Sequence, residues 1–303
     1  MVRTILPKIL SLAGGLAIAG LAAISVSGAQ DVFLSDATGI SKNTLKTEIS
    51  FLQGATIKGG SGKVEESSLD MEWDWSFLSI EYQGKSYNWE SPAGNPFSPA
   101  HEPVWNTLNT LWFTVGYSNS ITRKLSYSMD ADVFISFERE HFGLVGNDLD
   151  GVLFYSLPCD WYVYGGMAVH HSPFQMDVYP LLGIMHGDEF KVGWTIKVGI
   201  PETKVQYRFN SRYSMDTGFS VFNVDYYLLA IDNVEDHDRY LETSNNRLSL
   251  VFNMRPNKNL CIGAGIQYTV DNKFMFYSEN QQNRTTYQLS SVPGLLLEMQ
   301  YYF

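Results

Sequence analysis

Between Leu125 and Phe137 every second residue is apolar. Leu125, Tyr127, Met129, Ala131, Val133, Ile135 and Phe137 alternate with Ser126, Ser128, Asp130, Asp132, Phe134 and Ser136. Only an extended strand, whose side chains point to opposite faces at a period of two, turns such a stretch into one apolar and one largely polar face. At about 13 residues it is longer than the five or six of a usual globular strand. It has the length that a tilted strand needs to cross a bilayer.

The same period recurs along the chain. Leu45, Thr47, Ile49 and Phe51 carry it first, then Leu69, Met71, Trp73, Trp75 and Phe77. Leu111 to Tyr117 follows, and further on Val192 to Val198, Val205 to Phe209, and Phe222, Val224, Tyr226 and Leu228 as an outward set. Leu248 to Met254, Leu260 to Tyr268 and Leu295 to Phe303 complete the series. With the hairpins centred on Pro158-Cys159-Asp160 and His186-Gly187-Asp188, about fourteen strands are expected, twelve being the other count. Such a chain is all-β. The inner set of Ser, Thr, Gly, Asn, Gln and charged residues predicts a wet interior, and fourteen strands enclose more space than side chains fill. A small soluble barrel with the opposite polarity needs only about 150–180 residues, and this chain has 303.

Connections sort by parity. Long ones are expected at 58–65, 90–106, 138–148, 231–245 and 271–292. Short ones are expected near 77, at 118–122, 158–160, 187–189 and 255–259, with 201–202 as the exception. Short periplasmic turns and longer outer loops are the asymmetry of a membrane barrel. The last stretch, Leu-Leu-Leu-Glu-Met-Gln-Tyr-Tyr-Phe, sets Leu295, Leu297, Met299, Tyr301 and Phe303 on one face and ends the given sequence on an aromatic residue.

In these features the chain resembles bacterial outer-membrane β-barrel proteins, porin-like ones in particular. The resemblance implies an antiparallel up-and-down transmembrane barrel over 45–303, and a periplasmic lead-in over 30–44. It also implies surrounding outer-membrane lipid, and recognition by the barrel-assembly machinery through Tyr301 and Phe303. Residues 1–29 read as a secretory signal peptide: Arg3 and Lys8 precede an apolar run, and Ser27-Gly28-Ala29 supplies small residues for cleavage before Gln30. The expected location is the outer membrane of a Gram-negative bacterium. A net charge of −11 with no basic stripe excludes nucleic acid as a partner. Charged residues make up 17% and aromatics 14%, a balance suited to a lipid-facing surface with interfacial aromatics.

Inward charges divide into acids on early strands, among them Glu72, Asp74, Asp130 and Asp132, and bases on later ones. The bases are Lys191, Lys197, Lys204, Arg208 and Arg247. Set on opposite walls of a ring, they would line a pore with a transverse field, as in porin-like passive channels for small polar solutes. The competing arrangement is salt bridging between neighbouring strands. His170 and Ser172 resemble the catalytic pair of outer-membrane phospholipase A, which would make the barrel a lipid hydrolase acting at its rim. The Asn expected about twelve residues on is replaced by Leu182, and both residues fall on the inward face. A third reading is a non-enzymatic surface barrel that binds a partner through long loops. Asp148 and Asp150, beside a Glu138-Arg139-Glu140-His141 loop, would suit a divalent ion or a rim protease, and the acidic run from Asp232 to Asp238 would suit Ca²⁺ but lacks the spacing of a calcium loop. They read as solvated loop acids; no metal ligand set and no cofactor motif is assigned. Cys159 and Cys261 fall about six strands apart, beyond the roughly 7 Å reach of a disulfide.

Overall fold

A computed structural model describes residues 43–90, 105–138, 141–172, 175–228, 238–278 and 284–303. The proposed signal peptide, nearly all of the lead-in and most of the Asp232–Asp238 run lie outside these residues.

Alternation becomes strand wherever it was read. The first hairpins are β1 (Thr44–Thr56), β2 (Lys63–Trp75), β3 (Leu78–Glu90), β4 (Thr107–Ser120) and β5 (Leu125–Glu138). Then come β6 (His141–Ser156), β7 (Trp161–Ser172), β8 (Gln175–His186), β9 (Gly193–Ile200) and β10 (Glu202–Arg208). The chain ends with β11 (Tyr213–Leu228), β12 (Asp238–Asn257), β13 (Leu260–Ser278), β14 (Arg284–Gln288) and β15 (Pro293–Tyr302). From β1 to β14 each strand pairs antiparallel with the next. β14 and β15 lie in turn along β13, so they form one interrupted strand position. β15 pairs back onto β1, from Tyr302 opposite Thr44 to Gly294 opposite Leu52. The sheet is therefore a closed antiparallel barrel of fourteen strand positions.

The outer surface is a belt of large apolar side chains. Phe51, Met71, Val115, Met129, Leu153, Leu182, Leu250, Ile266 and Leu295 all stand exposed on it. Around the mouth where Thr44 and Tyr302 lie, outward aromatics gather. Trp73 stacks on Trp75 at 6.1 Å, Trp194 meets Tyr207 at 4.7 Å, and Tyr301 meets Phe303 at 5.0 Å. A girdle at one end of an apolar belt is what the lipid interface selects.

Connections at this mouth are short, from the two residues between Trp75 and Leu78 to the six between β8 and β9. The opposite, distal mouth departs from expectation. The polar loop placed at 138–148 does not exist: β5 runs to Glu138 and β6 begins at His141. The two strands pair down to Glu138 opposite His141. Likewise β13 continues to Ser278, and β12 begins at Asp238. The strands extend because backbone groups leaving the bilayer still gain by pairing.

The main departure is at β9 and β10, which are only 8 and 7 residues long. β9 pairs with β8 from Leu182 to His186, and β10 pairs with β11 from Ser214 to Ser220. The distal halves of β8 and β11 thus rise above the hairpin between them. A register shift between Ser220 and Asn223 resets the phase of β11. Its upper part then turns into the barrel and packs against β5 and β6. Tyr226, read from the sequence as outward, is buried inside, and so is Tyr227.

Inside the distal half, this rolled edge closes a core of aromatic and aliphatic side chains. Trp105 is fully buried there, at 5.0 Å from Trp89, 5.3 Å from Phe274 and 5.9 Å from Tyr87, each edge to face. Trp89 Nε1 donates to the Trp105 carbonyl at 2.6 Å. Leu52, Ile57, Leu108, Tyr227, Leu241 and Phe276 complete the plug. The uniformly wet interior expected from the inner residue set is thus corrected: polar below, dry above. Replacing Trp105 with Ala is expected to cost about 3–5 kcal/mol, the usual penalty for emptying a large aromatic site. The check is the temperature at which the folded barrel loses its faster gel migration.

Candidate functional site

Below the plug lies a polar cavity of about 630 Å³. Strand alternation delivers its walls: inward positions of β1 to β5 supply Glu48, Asp70, Glu72, Glu81 and Asp132. From the other side come Lys204, Asp225, Arg247 and Glu298. In all, nine carboxylates face four basic side chains, so the cavity is strongly acidic.

Of the residues expected to line a pore, Glu72, Asp74, Asp130, Asp132, Lys197, Lys204, Arg208 and Arg247 point into the barrel. Lys191 does not. It lies in the turn between β8 and β9, well exposed, 3.4 Å from Asp188. Nor do acids and bases stand apart across an open lumen. Lys46 bridges Glu72 at 3.2 Å and Asp74 at 3.4 Å on the adjacent strand. Lys197 meets Glu202 across the short hairpin at 2.5 Å, Lys204 lies 3.7 Å from Asp216, and Arg247 reaches Glu48 at 3.0 Å. A charge withdrawn from bulk water gains most from its nearest counter-charge, so the field collapses into pairs.

Some contacts cross the lumen. Lys85 of β3, itself buried, pairs with the half-buried Asp225 on the inturned part of β11. Tyr226, next along, stacks on His170 at 4.7 Å and its hydroxyl donates to Asp177 at 3.2 Å. At the mouth with the short turns, Arg208 Nε donates to the Glu189 carbonyl at 2.6 Å. Arg255 lies over the rings of Phe190 and Tyr302, at 4.8 and 5.2 Å. The polar cavity is thereby narrowed from below as well.

His170 and Ser172 both face inward, as the face assignment requires. The imidazole Nδ1 lies against the Asp148 carboxylate, and the ring lies between Phe134, at 5.3 Å, and Tyr226. This is an inner-wall position, away from the lipid. Sequence reasoning paired Asp148 and Asp150 as candidate site residues but placed them in a loop. They are not loop acids: both sit on β6, opposite Asp132 and Asp130 of β5. The signal was present, since exposed Val145, Leu149 and Leu153 keep the period of two running back through 145–153. Cys159 is free and exposed in the turn between β6 and β7, and Cys261 is free on β13.

No family model matches the sequence, and no curated protein matches it. Among solved structures, bacterial outer-membrane channels and porins resemble it. A Pseudomonas aeruginosa FadL homologue has a TM-score of 0.44 and 8% identity, covering 86% of this chain and 90% of its own. The NanC porin has a TM-score of 0.41 and 8% identity, over 85% of this chain and 98% of its own. The Pseudomonas putida toluene transporter TodX has a TM-score of 0.37 and 11% identity, over 86% and 90%. The barrel architecture rests on the strand pairing itself, not on these likenesses.

Replacing Lys85 by Met leaves the half-buried Asp225 without its ion partner, and the expected loss is about 3–5 kcal/mol. Adding Asp225→Leu should recover most of it. A denaturant titration of both variants in detergent checks the pair; a double variant no better than the single would show that Lys85 acts by packing alone.

Proposed function

We propose that the protein is an outer-membrane barrel that passes small polar solutes, cations in preference to anions, through a constricted lumen. The observation that carries this reading is the acidic cavity of about 630 Å³ inside a closed barrel whose outside is apolar. An apolar belt this continuous is unstable against water and stable against lipid. The mouth where Thr44 and Tyr302 lie faces the periplasm, because its turns are short and its girdle dense. Each solute that enters meets nine carboxylates and four bases, which raises the local concentration of cations and lowers that of anions.

The narrow ends make this a selective path, not a sieve. The aromatic plug occupies the distal half, and Arg208, Arg255 and Phe190 crowd the periplasmic mouth. Planar-bilayer recording of the refolded barrel tests the reading. Small conductance steps with a reversal potential of cation selectivity are expected, and Glu72→Gln with Glu81→Gln should lower that selectivity. A folded barrel that never conducts, or one that selects anions, overturns it.

The C-terminal strand is proposed to engage the assembly machinery. Tyr301 and Phe303 form one exposed aromatic pair at the periplasmic rim, available before closure and after it. Phe303→Ser is expected to slow insertion in cells several-fold while leaving refolding into detergent unchanged. Equal slowing in both settings would assign Phe303 to folding instead.

A further inference from the structure

The inturned part of β11 does not seal completely against the wall it meets. Between them lies a second cavity, about 230 Å³, whose lining includes Trp112, Phe134, Asp148, Asp150, His170 and Tyr226. At roughly 30 Å³ of liquid volume per water, it has room for several waters or one small organic molecule. Trp112, Asp148 and Val224 border the large polar cavity as well, so the two spaces adjoin.

The wall behind this cavity is unusual in its charges. Asp132 lies directly opposite Asp148, and Asp130 directly opposite Asp150, all on the inner face of β5 and β6. Like charges facing each other across a strand pair destabilise the sheet. His170, directly opposite Asp148 on β7, is the basic group set against them. Asp150 is 2% exposed, and neither of its carboxylate oxygens has a hydrogen-bond partner; His170 Nε2 has none either. A buried carboxylate with both oxygens unsatisfied calls for a positively charged donor.

We propose that this cavity binds a small organic cation, a primary alkylammonium, with Asp150 and Asp148 taking its N–H groups and the aromatic rings facing its charge. Two observations choose this class over a metal ion. Among the described residues no cluster of three or more ligating side chains is placed to hold a metal. The neighbouring side chains include the aromatic rings of Trp112, Phe134 and Tyr226, the last two each stacking one face on His170, and aromatic rings attract an organic cation. N–H donors suit the orphaned oxygens of Asp150, which a quaternary ammonium would leave unsatisfied. The inference deepens the channel reading by naming a solute class, but binding needs no conduction and can be read separately.

The test is calorimetric titration of the refolded barrel in detergent with n-butylammonium chloride, at constant ionic strength. Saturable binding to one site is expected, with 1-butanol and calcium chloride giving none. Asp150→Asn should weaken it about tenfold or more, the effect of losing a charge-assisted contact. Phe134→Leu should weaken it about threefold or more through the lost ring face. Each variant must first show the gel migration of a folded barrel, and Asp148→Asn stands in should Asp150→Asn fail to fold. Equal binding of 1-butanol, tighter binding of calcium, or no binding by a folded barrel each overturns the proposal. Binding without conductance would keep this site and remove the channel; conductance without binding would do the reverse.

Discussion

Hydrocarbon offers no partner to a free backbone N–H or C=O, so a sheet placed in it must pair every strand edge within itself. This constraint decides most of what the molecule looks like. It forces β15 back onto β1, and it makes the two short strands β9 and β10 consequential. Where the hairpin ends early, the distal edges of β8 and β11 lose their neighbours. β11 answers by rolling inward, where its edge is covered by β5 and β6 instead of lying open.

Once β11 has rolled in, the interior can no longer be a uniform pore. The strand brings Tyr226 to one side and Tyr227 to the other, against two different walls. The side holding Tyr227 becomes a dry core with Trp105 at its centre. The side holding Tyr226 meets the carboxylates of β5 and β6 with aromatic faces. Asp225, on the same strand face as Tyr227, draws Lys85 across the lumen, because a buried ammonium without a counter-charge costs on the order of several kcal/mol. A shortened hairpin on one wall thus sets the polarity of the space on the other.

The strands with one lipid face were legible in the sequence, since lipid demands that every outward position be apolar and period two follows. Leu125 to Phe137 and Leu295 to Phe303 were read to within a residue or two. The errors share a physical cause. Phe222 to Leu228 alternates, but the register shift after Ser220 makes its phase unrelated to the strand it continues. Tyr87, Trp89, Phe274 and Phe276 lie where the inner face is also apolar, so period two carries no sign of which side is inside. Asp148 and Asp150 were assigned to a loop because Asp is common in loops, although exposed Leu149 and Leu153 already marked a wall. Charge pairing was the least legible of all: partners such as Glu48 and Arg247 are set by closure, at a separation of 199 residues.

The aspartates of β5 and β6 bear on function more than any other group in the barrel. A wall selected for stability alone would not set Asp130 against Asp150 and Asp132 against Asp148, where serines like those at 126, 128 and 136 serve the same strands. Nor does closure require it, since backbone pairing is indifferent to side-chain charge. Elsewhere inside the barrel Glu48, Glu72 and Glu202 have lysine or arginine partners, whereas both carboxylate oxygens of Asp150 are left without a hydrogen bond. The same stretch is the one that the inturned strand covers with aromatic rings. Carboxylates set against one another, one of them left without a partner, beside aromatic side chains form an arrangement that a bound cation would complete.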